Sequence, residues 1–152
     1  MFKNIAAIVI ALMLTTTNAN AEDQRLASTL NWAIYQSDSG LSCYLAQHYD
    51  GGGSIFIHKM ADDRTIVELN NPFWDLPIGD LPLTLHTAND SIGYDMVGQV
   101  RSPTQIVLVD GAQLRWTLRR SGGILLTWDN TLHATLSLAD IYHGIDTLHN
   151  VC

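Results

Sequence analysis

Turn chemistry returns along the middle of this chain every eight to twelve residues: Ser37-Asp38-Ser39-Gly40, Asp50-Gly51-Gly52-Gly53, Ala61-Asp62-Asp63, Asn89-Asp90, Asp110-Gly111, Gly122-Gly123 and Asp129-Asn130. A chain interrupted that often has little room for helices of ordinary length. The runs between the turns are short and rich in aliphatic and aromatic residues, and short strands at regular spacing predict a sandwich or barrel. The expected strands are Asn31–Gln36, Ser42–Tyr49, Ser54–Met60, Thr65–Asn70, Leu81–Thr87, Ile92–Val100, Gln105–Val109, Ile124–Trp128 and Thr131–Leu136. The fold class is therefore all-β, a mostly antiparallel sandwich or barrel of about eight or nine short strands. No internal repeat, low-complexity tract or linker divides it.

Two segments alternate with period two. In LPLTLHT, Leu81, Leu83 and Leu85 face inward and Pro82, Thr84 and His86 outward. Pro82 has no N–H for a ladder, which predicts an edge strand. In TLHATLSL, Leu132, Ala134 and Leu136 face inward and His133 outward. The last segment changes period. Leu138, Ile141, Ile145 and Leu148 form one apolar stripe at helical spacing, so a C-terminal α-helix packs on the sheet. Ser137 and Asp140 have the spacing of a capping box. Ala112–Arg120 reads as a helix through Leu114 and Leu118, or as a strand through Trp116 and Thr117. Trp32, Trp116 and Trp128 lie in strand-like or amphipathic runs and are expected in the core.

The first residues carry a basic Lys3, an apolar run Ile5–Leu14 and a small-x-small site Ala19-Asn20-Ala21. That is the layout of a cleaved signal peptide, residues 1–21, ahead of a single β-rich domain, residues 22–152. The run is shorter than the roughly 20 residues that cross a bilayer, so no membrane span is expected after cleavage. Loss of Lys3 takes the net charge from −7 to −8, which disfavours nucleic acid as a partner. Asn89-Asp90-Ser91 is a glycosylation sequon, meaningful only in a eukaryotic host. Cys43 and Cys152 both lie in the exported part and, in an oxidising compartment, are expected to form one disulfide. It closes a loop of about 110 residues and ties down a terminus that would otherwise fray. The expected location is periplasmic or secreted.

Residue patterns that carry chemistry are sparse. Asp140, His143, Asp146 and His149 recur at a spacing of three. At 3.6 residues per turn they wind around the helix, so they form a solvated polar face, not a metal site. His58, His86 and His133 sit on different strands and nothing in the sequence brings them to one ion. No nucleophile elbow or Ser-x-x-Lys pair occurs, and Asp62, Asp63, Asp90 and Asp129 fall in turns where Asp serves the backbone. Asp50-Gly51-Gly52-Gly53 leads into a strand, so it is a hairpin turn and not a phosphate loop. No catalytic residue, metal or cofactor is expected. The loop Asn71-Pro72-Phe73-Trp74-Asp75-Leu76-Pro77-Ile78-Gly79 is the feature most suggestive of binding. Aromatics beside prolines either plug the open end of a barrel or build a rigid contact surface, with Phe73 and Trp74 as candidate partner-binding residues.

The order Trp32, Cys43-Tyr44-Leu45-Ala46-Gln47, a Gly-rich turn, Asn70-Asn71-Pro72-Phe73-Trp74, Gly79, Leu136-Ser137-Leu138 and a short helix ending on Cys152 resembles small exported alphaproteobacterial proteins related to the invasion-associated locus B family. The resemblance covers most of the chain after residue 21. It implies a secreted or periplasmic β-sandwich-like domain with a terminal helix, and it transfers no functional residue. Ser39-Gly40 with Tyr44 nearby also resembles the inhibitory loop of bacterial lysozyme inhibitors, which adds Ser39, Gly40 and Tyr44 as candidate partner-binding residues. The expected function is an exported, non-enzymatic interaction protein. The alternative is an inhibitor or immunity protein against a basic, envelope-targeting hydrolase.

Overall fold

The structure is a computed structural model that describes residues 23–40, 42–88, 93–110 and 112–152. Residues 1–21, expected to be a signal peptide, and the sequon at 89–91 lie outside the described residues. Ten strands follow one another, with one helix between the eighth and ninth and another at the C-terminal end: β1 Gln24–Ser28, β2 Ala33–Gln36, β3 Ser42–His48, β4 Ser54–Met60, β5 Thr65–Asn70, β6 Gly79–Thr87, β7 Gly93–Ser102, β8 Gln105–Asp110, α1 Ala112–Arg119, β9 Gly123–Trp128, β10 Thr131–Ser137 and α2 Ile141–Val151. The expected all-β class with a C-terminal helix holds. β1, whose sequence QRLAS carries no alternation, adds a tenth strand to the nine expected.

All ten strands belong to one antiparallel sheet in the order β1-β2-β3-β4-β5-β8-β7-β6-β9-β10. The sheet is not closed: β1 and β10 are its two edges. Local turn chemistry sets each hairpin register. The β3–β4 turn uses Gly51 and Gly52 at φ 91° and 93°, a region that a β-carbon disfavours. The two-residue β9–β10 turn places Asp129 and Asn130 at φ 52° and 56°, the conformation whose twist matches the flanking strands.

The inward side chains of both halves of the sheet form one core. Ile34, Leu45, Ile57, Val67 and Leu108 come from one half, and Leu83, Leu85, Ile124 and Leu126 from the other. Helix α2 covers the core over β1–β3, and α1 lies against β5 and α2. The expected stripe is what buries α2: Ile141, Ile145 and Leu148, with Leu138 just ahead of the helix. Each such side chain, fully removed from water, contributes about 1.5–3 kcal/mol. Gly144 lies on the same face, and a β-carbon there would stand 3.2 Å from Trp32 Cγ and 3.3 Å from Leu45 Cδ2. Arg115 of α1, nearly inaccessible to solvent, donates to Asp63 at 2.7 Å and to Thr65 Oγ1 at 3.3 Å. The Cys43–Cys152 disulfide joins β3 to the end of α2 with Cα atoms 6.3 Å apart.

Four sequence expectations are corrected. β6 is an interior strand between β7 and β9, yet its β9 partners span only Thr84–Thr87. Pro82 therefore sits where that flank of the strand is free, which satisfies its missing donor locally. Leu132 is exposed, because a register shift between Leu132 and Ala134 breaks the period-two phase. Trp116 is 46 % exposed, because Leu114 and Leu118 carry the buried face of the eight-residue α1 and the residue between them points away. The capping box is absent: Asp140 adopts a left-handed φ of 65° and makes no side-chain cap hydrogen bond. Its carboxylate instead accepts from the Leu30 N–H at 3.1 Å.

Replacing Cys43 and Cys152 together by alanine is expected to lower stability by about 2–5 kcal/mol, because the unfolded chain regains the freedom of a long loop. Denaturant unfolding of the two proteins would read the difference directly.

Candidate functional site

The loop after β5 is built by short-range polar contacts and anchored to the β7–β8 turn. Asn71 accepts from the Phe73 N–H on its side chain at 3.0 Å and from the Trp74 N–H on its carbonyl at 3.1 Å. Asn71 N–H and Leu76 N–H donate to the carbonyls of Thr104 and Pro103, each at 2.9 Å. A backbone held at so many points sends adjacent side chains in opposite directions. Trp74 turns in, is half-buried, and meets Trp128 edge-to-face at 5.7 Å. Phe73 turns out and is 82 % exposed. The loop is divided: Trp74 packs against the core and Phe73 points to solvent, and because the sheet is open there is no barrel end for either to plug.

Behind Phe73 lies a groove of about 470 Å³, walled by the β3–β4 turn, the loop residues Asn71, Phe73 and Trp74, and Ala134–Ser137 of β10. Asp50 is the charged residue of its lining. Tyr49 crosses one end, donating from its hydroxyl to the Ser137 carbonyl at 2.7 Å, and burial pushes its phenol pKa upward. The Trp74 indole Nε1 is shut off from solvent and has no hydrogen-bond partner among the described residues. Such a donor costs about 1–3 kcal/mol until an acceptor reaches it. Next to this region, the His133 ring stacks on Trp128 with centroids 3.8 Å apart, and its Nε2 lies 3.1 Å from the Trp128 carbonyl.

Ser39, Gly40 and Tyr44 belong to the opposite end of β3. Asp23 ties Tyr44 to the Ser37–Gly40 turn through Asp38: its carboxylate accepts from the Tyr44 hydroxyl at 2.6 Å and from the Asp38 N–H at 3.0 Å. Gly40 turns the chain at φ 67°. Tyr44 stacks on Tyr35 at 5.3 Å and lies 4.9 Å from His58, on the sheet face away from the core. Sequence spacing gave no sign of this cluster, because its members pair only through the registers of β2, β3 and β4.

The three strand histidines do not converge. His58 stands 3.6 Å from Glu68, His86 packs beside Gly93, and His133 stacks on Trp128. No group of three or more metal-ligating side chains occurs among the described residues. The helical series also separates into pairs. Asp140 contacts His143 at 2.6 Å, while Asp146 accepts two bonds from Arg119 at 2.9 and 3.1 Å. His149 faces Trp116, with its Nε2 buried. The expected solvated face is in part a seam between α1 and α2, because Arg119 and Trp116 of α1 occupy the space beside Asp146 and His149.

No protein-family model matches the sequence, and no curated protein matches it. Among solved structures, the chain superposes on invasion-associated protein B from Bartonella henselae with a TM-score of 0.62. The two are 15% identical, and the likeness covers 82% of this chain and 96% of that one. The chain therefore shares the fold of that protein, as the residue pattern from Trp32 to Cys152 implied.

Burial lowers the His58 pKa below its ordinary value of 6.5, against the opposing pull of Glu68 and Asp23. The unfolded chain then takes up the proton more readily than the folded one. Stability contributed by neutral His58 is present above pH 6.5 and is lost as pH falls through that value toward the lower folded pKa. His58→Gln is expected to flatten this acid-side loss, read from unfolding midpoints between about pH 7.5 and 5.

Proposed function

We propose that this protein is exported, oxidised outside the cytoplasm, and acts by holding a protein partner and not by catalysis. The observation that carries the reading is Phe73, a large apolar side chain 82 % exposed on a backbone fixed by four hydrogen bonds. A rigidly presented aromatic loses little entropy on contact and buries a large area, the character of an interface anchor. The disulfide suits an oxidising compartment, and residues 1–21 have the layout of a signal peptide. The structural neighbour's name associates that protein with invasion, which is in keeping with a role outside the cytoplasm.

A second reading rests on the other end of β3. The Ser37–Gly40 turn and Tyr44, tied together by Asp23, form an acidic, aromatic surface on a protein of net charge −7. That combination suits inhibition of a basic envelope-directed hydrolase such as lysozyme, with binding that weakens as salt screens the charges.

Affinity capture with the oxidised protein, from envelope and culture-fluid extracts at low and moderate salt, separates the two. Under the first reading Phe73→Ala reduces capture of the partner at least tenfold with an unchanged unfolding midpoint, and Tyr44→Phe leaves capture intact. Trp74→Ala, by contrast, lowers stability by about 1–3 kcal/mol, because it removes a half-buried ring packed against Trp128. Capture that ignores Phe73 but responds to Tyr44→Phe and to salt would replace the first reading by the second.

A further inference from the structure

Among the described residues β10 ends the sheet, paired with β9 on one side only. Its other side opens on the groove beside Phe73, which four consecutive β10 residues, Ala134 to Ser137, help to wall. Successive strand side chains point to opposite faces. A wall made by four in a row is therefore the strand's edge, with its row of peptide N–H and C=O groups. The Tyr49 hydroxyl bonded to the Ser137 carbonyl marks an edge carbonyl aimed into the gap. Across the groove stand Leu69 and Phe73, and the Trp74 Nε1–H has no acceptor among the described residues. The lining holds Asp50 and no basic residue.

We infer that the groove takes an extended segment of the partner protein, apolar with a lysine or arginine among its residues, which adds to β10 as a further strand. The inference rests on the binding role proposed above and specifies how the contact is made. Each feature of the groove asks for one feature of the segment. The β10 edge supplies main-chain pairing, which needs an extended backbone. The apolar wall takes alternate side chains, and Asp50 takes the positive charge. A second copy of this chain fits poorly, because two chains of net charge −7 repel.

The test is a titration of the isotope-labelled, oxidised protein, followed by nuclear magnetic resonance. The probe is a pool of acetylated, amidated pentapeptides with lysine at the centre and valine, threonine, leucine or phenylalanine elsewhere. The expected result is a moved Trp74 indole N–H resonance together with slowed hydrogen exchange along Ala134–Leu136. A pool with central glutamate should bind at least about fivefold more weakly. Pools N-methylated at alternate peptide nitrogens, made in both registers, should fail in one register. Movement of Phe73 and Trp74 resonances without slowed exchange in β10 would overturn strand addition while leaving the binding role in place. No response at either place, an equal response to lysine and glutamate pools, or concentration-dependent self-association through β10 would overturn the inference. The capture experiment with Phe73→Ala judges the binding role separately.

Discussion

The packing of α2 on the β1–β3 part of the sheet is the contact on which the rest of this structure depends. An open sheet with an apolar face needs a cover, and no further strand among the described residues supplies one. Trp32 stands at the centre of the contact: it is 1 % exposed, its ring lies against Gly144, and its indole N–H donates to the Ala139 carbonyl at 3.0 Å. Glycine at 144 is what lets the helix come so close, since a β-carbon would press on both Trp32 and Leu45. Two longer-range ties hold the helix at its ends, Asp140 to Leu30 at the start and the disulfide at the finish. α1 is secured in turn through Arg119 and Asp146.

That arrangement leaves the two ends of the sheet chemically unlike. Around Asp23 the Tyr44 hydroxyl and the Asp38 N–H share one carboxylate, and the Ser37 hydroxyl accepts from the Ser42 N–H at 3.3 Å, while the buried His58 Nε2 beside Tyr44 has no hydrogen-bond partner among the described residues. Around Trp74 an indole donor is shielded from water without an acceptor, beside an exposed phenylalanine and a strand edge. What distinguishes the Trp74 end of the sheet from the larger aromatic stack around Tyr44 is an exposed phenylalanine beside an open strand edge.

Much of the fold could be read from the residues because local physics specified it. The stripe Leu138, Ile141, Ile145 and Leu148 announced α2, and Asp129-Asn130 announced a tight hairpin. The failures have a common origin in effects that act across the chain. Pro82 looked like an edge residue, but the length over which β9 pairs with β6 decides whether its flank is open. Leu132 fitted an unbroken alternation until the shift at His133 reversed its phase. Asp140 resembled a capping residue, while its carboxylate answers to Leu30, 110 residues away. Phe73 and Trp74 were visible as candidates, whereas the groove behind them, with walls from β10 and the β3–β4 turn, was not.

The sequence by itself determined the class of the protein, its hairpins, its terminal helix and the partnership of its two cysteines. These follow from periodicity, from backbone conformations that few residues tolerate, and from the redox chemistry that a signal-like leader implies. Only the tertiary structure decided that the sheet stays open, that β10 is left with a free edge, and that Phe73 faces outward while Trp74 faces in. The physical reason is that strand order and groove formation are set by contacts between segments far apart in the chain. Residues such as Tyr49 and Ser137, 88 positions apart and joined by one hydrogen bond, carry no sign of each other in the sequence.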